Sequence, residues 1–448
     1  MKRVLIANRG EIALRIVRAC RRRGVQSIAV YSDADENSPH VWAADEAVRI
    51  GPAAASRSYL DAGTILEVAK AMRCDALHPG YGFLSERAAF AADCLAAGIA
   101  FVGPPARAIE LMGDKAEARR TALKHGVPVV PGSEDAFLDA AAAAVEAKSV
   151  GFPILLKARA GGGGRGMRVV KEPEAFVAAF AQATAEAEAA FGDGGVYLER
   201  FISRIRHVEV QVFGDTQGRV THLLERDCSV QRRHQKLIEE GPSPVLDEPT
   251  RQAICAAAVK LASAIGYVGA GTVEFIYETE TREFYFIEMN TRIQVEHPVT
   301  EMLTGTDLVA EQLGVAAGEP LSFPNRPFTP KGHAIELRIN AEDPARNFMP
   351  SPGRLTCWRP PAMPGVRIDS HAYRGYEVPP FYDSLIGKLI VHGQDRPHCI
   401  ARARDALDCF EAGGIATTIP FLRKVLAAPA FVNASVHTRW VETEFAGA

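Results

Sequence analysis

The run Glu288-Met289-Asn290-Thr291-Arg292-Ile293-Gln294-Val295-Glu296-His297-Pro298 carries the strongest cluster of chemically useful side chains in this 448-residue sequence. On an extended segment alternate side chains share a face, so Glu288, Asn290, Arg292, Gln294 and Glu296 are expected to point into one cavity. Glu288 and Asn290 are hard oxygen donors of the kind Mg²⁺ takes beside phosphates. Glu274, in Gly271-Thr272-Val273-Glu274-Phe275, falls on the neighbouring strand of the predicted hairpin and completes such a set. A sheet face that is merely wet shows the same alternation.

Two further stretches handle anions. The loop Lys157-Ala158-Arg159-Ala160-Gly161-Gly162-Gly163-Gly164-Arg165-Gly166-Met167 follows an apolar strand, and its four successive glycines let backbone N–H groups close over an anion. It lacks the G-K-[ST] ending of a Walker loop, so the residues read as a glycine flap or, if they bind nothing, as a surface hairpin. Lys157 and Lys115, the latter in Met112-Gly113-Asp114-Lys115, offer point charges for phosphates. The run Glu225-Arg226-Asp227-Cys228-Ser229-Val230-Gln231-Arg232-Arg233-His234-Gln235-Lys236 is dense in donors, but taken alone it is a charged surface.

The elements that hold these residues follow from periodicity. Residues 1 to about 110 alternate apolar runs (Val4 to Ala7, Ser27 to Tyr31, Asp75 to His78, Ile99 to Gly103) with amphipathic stretches such as Ile12 to Arg22, the rhythm of a parallel α/β sheet. The first turn, Asn8-Arg9-Gly10-Glu11, is not G-x-G-x-x-G, which disfavours a dinucleotide domain. Phe137 to Lys148 is predicted helical, and Ile154 to Leu156, Met167 to Val170, a helix from about Pro173 to Ala190 and Val196 to Glu199 make a small inserted α/β unit. From His207 to Phe213, and again over Thr272 to Tyr277 and Glu283 to Glu288, the period is two, which predicts antiparallel strands.

Length implies two or three packed units. With 51 Lys plus Arg against 54 Asp plus Glu the net charge of -3 offers no global field for nucleic acid or an anionic membrane. No segment approaches the ~20 apolar residues of a membrane span, and the N-terminus is a first strand rather than a signal peptide, so a cytoplasmic location is expected. The eight cysteines lack any C-x-x-C pair and are expected to be free buried thiols.

Taken together, H-P-G-Y-G-F-L-S-E at 78–86, M-G-D-K at 112–115, the glycine loop at 157–167, E-R-D-C-S-V-Q-R-R-H-Q-K at 225–236 and E-M-N-T-R-I-Q-V-E-H-P-V-T-E at 288–301 resemble the biotin carboxylase family, from residue 2 to about 440. The resemblance implies an ATP-grasp fold, α/β and α+β, with a Rossmann-like N-terminal domain (1–112), an ATP-grasp region with a small mobile lid (113–204), a part carrying the metal and bicarbonate site (205–330) and a C-terminal domain (331–448). It also implies residue roles. Lys115, Lys157, Gly161, Gly162, Gly163, Gly164, Gly166, Glu199, His207, Gln231 and His234 match ATP contacts. Glu274, Glu288 and Asn290 match ligands of two Mg²⁺ or Mn²⁺ ions; Lys236, Arg292, Gln294 and Val295 match the bicarbonate site; Glu296 matches the general base. Tyr81, Gly82 and Arg338 match the biotin pocket, although an arginine in such a strand could simply pair with Glu336 or Asp343 at the surface.

The implied reaction carboxylates biotin with bicarbonate and MgATP through carboxyphosphate. Arg200 stands where relatives often have lysine, and the hairpin between Glu274 and Glu288 looks longer than in short versions of the family. No A-M-K-M carrier sequence is present, so biotin is expected on a separate carrier protein; the resemblance further implies a carboxyltransferase on another chain, a homodimer, and acetyl-CoA as the default final acceptor of a stand-alone subunit. The alternatives are another ATP-grasp ligase, such as a carbamoyl-phosphate synthetase domain, or a non-catalytic nucleotide-binding subunit; the latter would be betrayed by loss of Lys236, Arg292 or Glu296, and all three are present.

Overall fold

The computed structural model describes residues 1–159, 167–324 and 328–445. The N-terminal strands β1 (Arg3–Ile6), β2 (Gln26–Ser32), β3 (Glu46–Gly51), β4 (Ala76–His78) and β5 (Ala100–Phe101) form a parallel sheet in the order β3-β2-β1-β4-β5. Helix α1 (Gly10–Arg22) follows β1 and buries Ile12, Ala13, Ile16 and Val17, while Arg21 and Arg22 in its last turn suit the negative end of the helix dipole. In the turn that opens α1, the Asn8 amide donates to the carbonyls of Pro79 and Tyr81 at 2.7 Å each. That contact fixes the loop after β4 and with it Tyr81.

A second, three-stranded sheet is antiparallel, in the order β7-β6-β8: β6 (Ile154–Ala158), β7 (Met167–Val170) and β8 (Val196–Arg200). Two helices, α2 (Ala140–Val150) and α3 (Phe176–Phe191), cover it. The helix expected from Phe137 begins only at Ala140, because Asp139 caps it by accepting from Ala142 N, and Phe137 instead bridges to Val196. The glycine flap lies outside the described residues, and so do the expectations placed on Gly161, Gly162, Gly163, Gly164 and Gly166.

The third sheet carries most of the chemistry. Strands β9 (Ile205–Gly214), β10 (Val220–Arg232), β11 (Gln235–Gly241), β12 (Gly269–Glu278), β13 (Glu283–Asn290), β14 (His333–Asn340), β15 (Val366–Ser370) and β16 (Leu385–Gly393) run in the order β13-β12-β9-β10-β11-β14-β16-β15, antiparallel throughout. Period two in β9 is as expected: Val208, Val210 and Val212 enter a core under helix α4 (Glu248–Ala264). The opposite face, Glu209 and Gln211, is polar yet fully buried. Such a face is not a wetted one, and something must satisfy it.

Arg200, at the end of β8, donates to Glu278 at 2.7 Å and to the Tyr285 hydroxyl at 2.8 Å, tying the three-stranded sheet to the β12–β13 hairpin. Both contacts come from one guanidinium nitrogen, Nη2, placed between the two acceptors. Cys357 is half-buried and Cys409, just past the helix Arg396–Asp408, is exposed, so the expectation of uniformly buried thiols holds for six of the eight. No helix among the described residues is long and apolar enough to cross a membrane.

At the seam between β11, β14 and the helix Arg396–Asp408, Glu240 accepts from His333 at 2.8 Å and from Arg396 at 2.6 Å. Burial pushes this carboxyl up, but the hydrogen bonds from His333 and Arg396 outweigh it and hold it down to about 2. A carboxyl depressed on folding stabilises above its unfolded range and loses that contribution as pH falls toward the folded value. Glu240→Gln is therefore expected to lower stability by roughly 3 kcal/mol at pH 7 and by about half as much near pH 3, read as the gap between wild-type and variant unfolding curves.

Candidate active site

The centre of the site is the ammonium of Lys236, at the start of β11. Its Nζ donates to Glu209 at 2.6 Å, Glu296 at 2.6 Å and Glu274 at 3.1 Å. Register explains the meeting: Glu209 lies opposite Glu274 on the β9–β12 ladder, and the β10–β11 turn brings Lys236 back opposite Gln231. Arg233 and His234 form that two-residue turn with φ of 47° and 65°, the left-handed pair that matches the twist of a tight hairpin. Burial opposes the charge on Lys236, and Glu209, Glu274 and Glu296 more than restore it, holding its pKa well above the ordinary lysine value.

Glu296 has a second cation. Arg338 on β14 donates Nη2 to Glu296 at 2.9 Å and Nε to Glu239 at 2.6 Å. Burial would raise the Glu296 carboxyl, but Lys236, Arg338 and Arg226 draw it well below the usual carboxylate range, so it stands ionised. The surface reading of Arg338 is thereby overturned: its side chain is nearly buried, it bonds neither Glu336 nor Asp343, and Asp343 pairs with Arg346 instead.

Glu274 gathers the rest. One oxygen accepts from Lys236, from Asn290 at 2.8 Å and from Gln294 at 2.9 Å, and the other faces His207 Nε2 at 2.9 Å. Across the β12–β13 ladder Glu274 pairs with Glu288 and Thr272 with Asn290, so Glu274, Glu288 and Asn290 share one face. Lys115 reaches Glu288 at 3.6 Å. Two carboxylates and an amide on adjacent strands form an oxygen-rich set suited to a hard divalent cation.

Strand alternation, expected to aim Glu288 to Glu296 into one cavity, is not what brings them together. The extended chain stops at Asn290, and residues 291–296 turn to start α5 (His297–Thr304), with Pro298 in its first turn. Arg292 and Gln294 enter by that turn and not by strand alternation. Arg292 donates to Asn290 Oδ1 at 3.0 Å and to Glu86 at 2.9 Å, while Val295 turns its carbonyl to Lys388 Nζ at 2.7 Å. Tyr81, half-buried beside Gly82 (φ 67°), donates its hydroxyl to Glu11.

Other expected contacts stand apart from this group. Lys157 pairs with Glu199 on the three-stranded sheet, and His234 is exposed at its turn. Neither forms a hydrogen bond to the Lys236 cluster among the described residues.

Several side chains that matter were not singled out from sequence: Glu209, two residues beyond His207 on the polar face of β9, Glu86 at the end of the 78–86 motif, and Arg226. The guanidinium of Arg226 is fully buried and donates to five acceptors: Glu209 at 2.6 Å, Gln211 at 2.8 Å, Thr300 at 2.8 Å, Gln294 at 3.0 Å and Thr272 at 3.2 Å. It satisfies the buried polar face of β9. Its position within an apparently solvated charge run concealed it; the strand pairing Arg226↔Glu209 is what reveals it.

Three family models match the chain in series: the biotin carboxylase N-terminal domain over residues 1–109, the carbamoyl-phosphate synthase L chain ATP-binding domain over 114–323, and the biotin carboxylase C-terminal domain over 336–443. The chain is 53% identical over 440 residues to a biotin carboxylase of a Nostoc species, with 98% of each chain covered. Among solved structures it resembles a Campylobacter jejuni biotin carboxylase–β,γ-ATP complex, with TM-score 0.92, 48% identity and 98% of each chain covered. It also resembles the biotin carboxylase domain dimer of Hydrogenobacter thermophilus 2-oxoglutarate carboxylase bound to MgADP, ADP and bicarbonate, with TM-score 0.91 and 46% identity over 98% of this chain and 97% of that one.

The Arg226 network generates its own test. Lysine supplies three donors where five are used, so Arg226→Lys leaves buried acceptors unpaired at about 1–3 kcal/mol each. The variant is expected to be destabilised by about 3 kcal/mol in a denaturant titration, with a native circular-dichroism spectrum retained.

Proposed function

The chain belongs to the biotin carboxylase family and is an ATP-dependent ligase, and from that premise we propose how its residues carboxylate biotin with bicarbonate at the expense of ATP. The observation that carries the assignment of roles is the double hold on Glu296 by Lys236 and Arg338. One cation belongs to the bicarbonate side and the other to the biotin side of a single carboxylate.

Bicarbonate seats on Lys236 and Arg292, with Gln294 and the Val295 backbone beside it. An arriving anion competes for Lys236, which loosens that cation's grip on Glu296 and returns basicity to a carboxylate held ionised and ready. Glu296 then takes the bicarbonate proton as the oxygen attacks the γ-phosphoryl group, giving carboxyphosphate and ADP. Glu274, Glu288 and Asn290 offer the oxygen donors for Mg²⁺ or Mn²⁺, which when bound would neutralise phosphate charge. Lys115, Lys157, Glu199, His207, Gln231, His234 and the glycine flap are assigned to ATP. In the second step carboxyphosphate breaks at its C–O bond to CO₂ and phosphate, the phosphate accepts the proton from biotin N1, and N1 bonds to the CO₂ carbon, while Arg338, with Tyr81 and Gly82 bordering the pocket, stabilises the ureido oxygen as charge develops.

Further parts of the proposal are the division at 1–112, 113–204, 205–330 and 331–448, a cytoplasmic homodimer, a biotin carrier and carboxyltransferase on separate chains, and acetyl-CoA as final acceptor. The dimeric Hydrogenobacter relative supports the pairing, although its own name points to a different acceptor.

Following ADP and carboxybiotin together tests the roles. Glu296→Gln is expected to bind ATP normally and lose bicarbonate-dependent ADP formation by roughly 10²–10⁴-fold; near-native turnover would remove Glu296 as the base. Arg338→Gln should keep slow ADP formation while carboxybiotin per ADP falls at least about tenfold; equal loss of both would move Arg338 to the bicarbonate step. For the metal set, Glu288→Gln and Asn290→Ala are each expected to raise the Mg²⁺ concentration needed for half-maximal activity several-fold. Unchanged Mg²⁺ titrations would contradict that assignment.

A further inference from the structure

Behind Arg338 lies a pair of carboxyl groups that the mechanism above does not use. Strand β14 sends Ile335, Leu337 and Ile339 into a hydrophobic core, so Glu336 and Arg338 fall on its other face. Glu336 is completely buried, and neither of its carboxyl oxygens meets a hydrogen-bond donor among the described residues. Directly opposite on the β11–β14 ladder is Glu239, also completely buried. Its Oε1 accepts from Arg338 Nε at 2.6 Å, and its Oε2 meets no donor among the described residues. Side chains paired in this way have Cβ atoms about 4.5–5.5 Å apart, which puts the two carboxyl groups within reach of one another.

The surrounding cations are committed elsewhere. Arg338 is shared between Glu239 and Glu296, and Lys236 among Glu209, Glu274 and Glu296. Lys388 on β16, itself completely buried, donates to the Val295 carbonyl at 2.7 Å and faces Glu11 of α1 at 3.1 Å. Glu11 in turn takes the Tyr81 hydroxyl, and on β15 Arg367 is paired with Asp369 and Glu301. His297 on α5, also packed near Lys388, is held neutral by burial, with Lys388, Arg15 and Arg367 pushing the same way. Two ionised carboxylates in this dry place would repel each other with no cation to spare and with three oxygens lacking donors.

We propose that Glu239 and Glu336 share a single proton and act together as a positioning pair for Arg338. An O–H···O⁻ contact from Glu336 to Glu239 Oε2 engages two of the three donorless oxygens and leaves one negative charge, on Glu239, facing Arg338 Nε. The guanidinium is then balanced between Glu239 and Glu296, with Nη2 kept on the side where Glu296 and the biotin pocket lie. A second negative charge at Glu336 would tip that balance and draw the fork back toward the pair. Burial favours the neutral form of both groups: it raises Glu239 to about 7 against the pull of Arg338, and it raises Glu336 well above the ordinary carboxyl value despite Lys388.

The role of the pair rests on the biotin reading of Arg338, whereas the shared proton does not, so two measurements separate them. Isotope-edited infrared spectroscopy of protein with labelled glutamate carboxyls, without substrates at pH 7, is expected to show a protonated carboxyl stretch that Glu336→Gln abolishes. Carboxybiotin per ADP, followed against pH, is expected to fall on the alkaline side in wild type and to hold to higher pH in Glu336→Gln, which keeps a neutral donor but has no proton to lose. Glu239→Gln, which removes the charge facing Nε, should lower the ratio about tenfold at every pH. A spectrum with no protonated carboxyl at pH 7 overturns the shared proton. A protonated band combined with an alkaline limb identical in wild type and Glu336→Gln overturns the positioning role. Wild-type protein that shows the band but makes no carboxybiotin would instead sink the function proposed for the chain.

Discussion

One ammonium held by three carboxylates is the constraint on which the site depends. Glu209, Glu274 and Glu296 come from β9, from β12 and from the turn before α5, and Lys236 meets all three. Buried charges that lose their partner cost about 3–5 kcal/mol, so strand register, hairpin turn and helix start must all agree before this cluster is tolerable. Under the proposed roles this cluster is also where a small anion would seat: Lys236 is held by groups that an anion can displace, while its cationic neighbours keep Glu274 and Glu296 well below the ordinary carboxylate range.

Around this centre the guanidinium groups divide the work by geometry. Arg226 faces inward, with every donor used, and holds Glu209 and Gln294 in place. Arg292 and Arg338 each have a carboxylate behind them, Glu86 for one and Glu239 for the other, and only Arg338 of the two bonds Glu296 directly. A planar fork with two directed contacts can fix a neighbour and still present its outer edge; a lysine cannot. This accounts for arginine where orientation matters and for lysine at the centre, where one charge serves three oxygens.

Much of this was legible in the residues, and the parts that were not share a cause. The apolar runs of the first hundred residues and the period-two stretches from His207 onward predict the parallel and antiparallel sheets that are present. The residues from Glu288 to Glu296 converge by a turn rather than by strand alternation, which ends at Asn290; Pro298, two residues after Glu296 and in the first turn of a helix, is the sign in the sequence that the chain must leave the strand. Arg226, Glu209, Glu239 and Glu336 looked like ordinary charges on polar strand faces. Their meaning depends on pairings such as Arg226↔Glu209 and Glu239↔Glu336, which join positions 17 and 97 residues apart and leave no local trace. Arg338 was named through the family resemblance, yet its partners came from a different strand and a different loop than the nearby acids suggested.

The roles proposed for Lys236, Arg292 and Glu296 require bicarbonate to be the nucleophile toward the γ-phosphoryl group. Supplying ¹⁸O-bicarbonate with ATP and biotin, and analysing the phosphate released, tests this most directly. Wild-type protein is expected to transfer one bicarbonate oxygen to each phosphate, and Lys236→Gln to lose that labelling while still binding ATP. Phosphate from the wild type that carries no label beyond exchange with water would mean that water is the nucleophile, and the assignment of Lys236, Arg292 and Glu296 to bicarbonate would be contradicted.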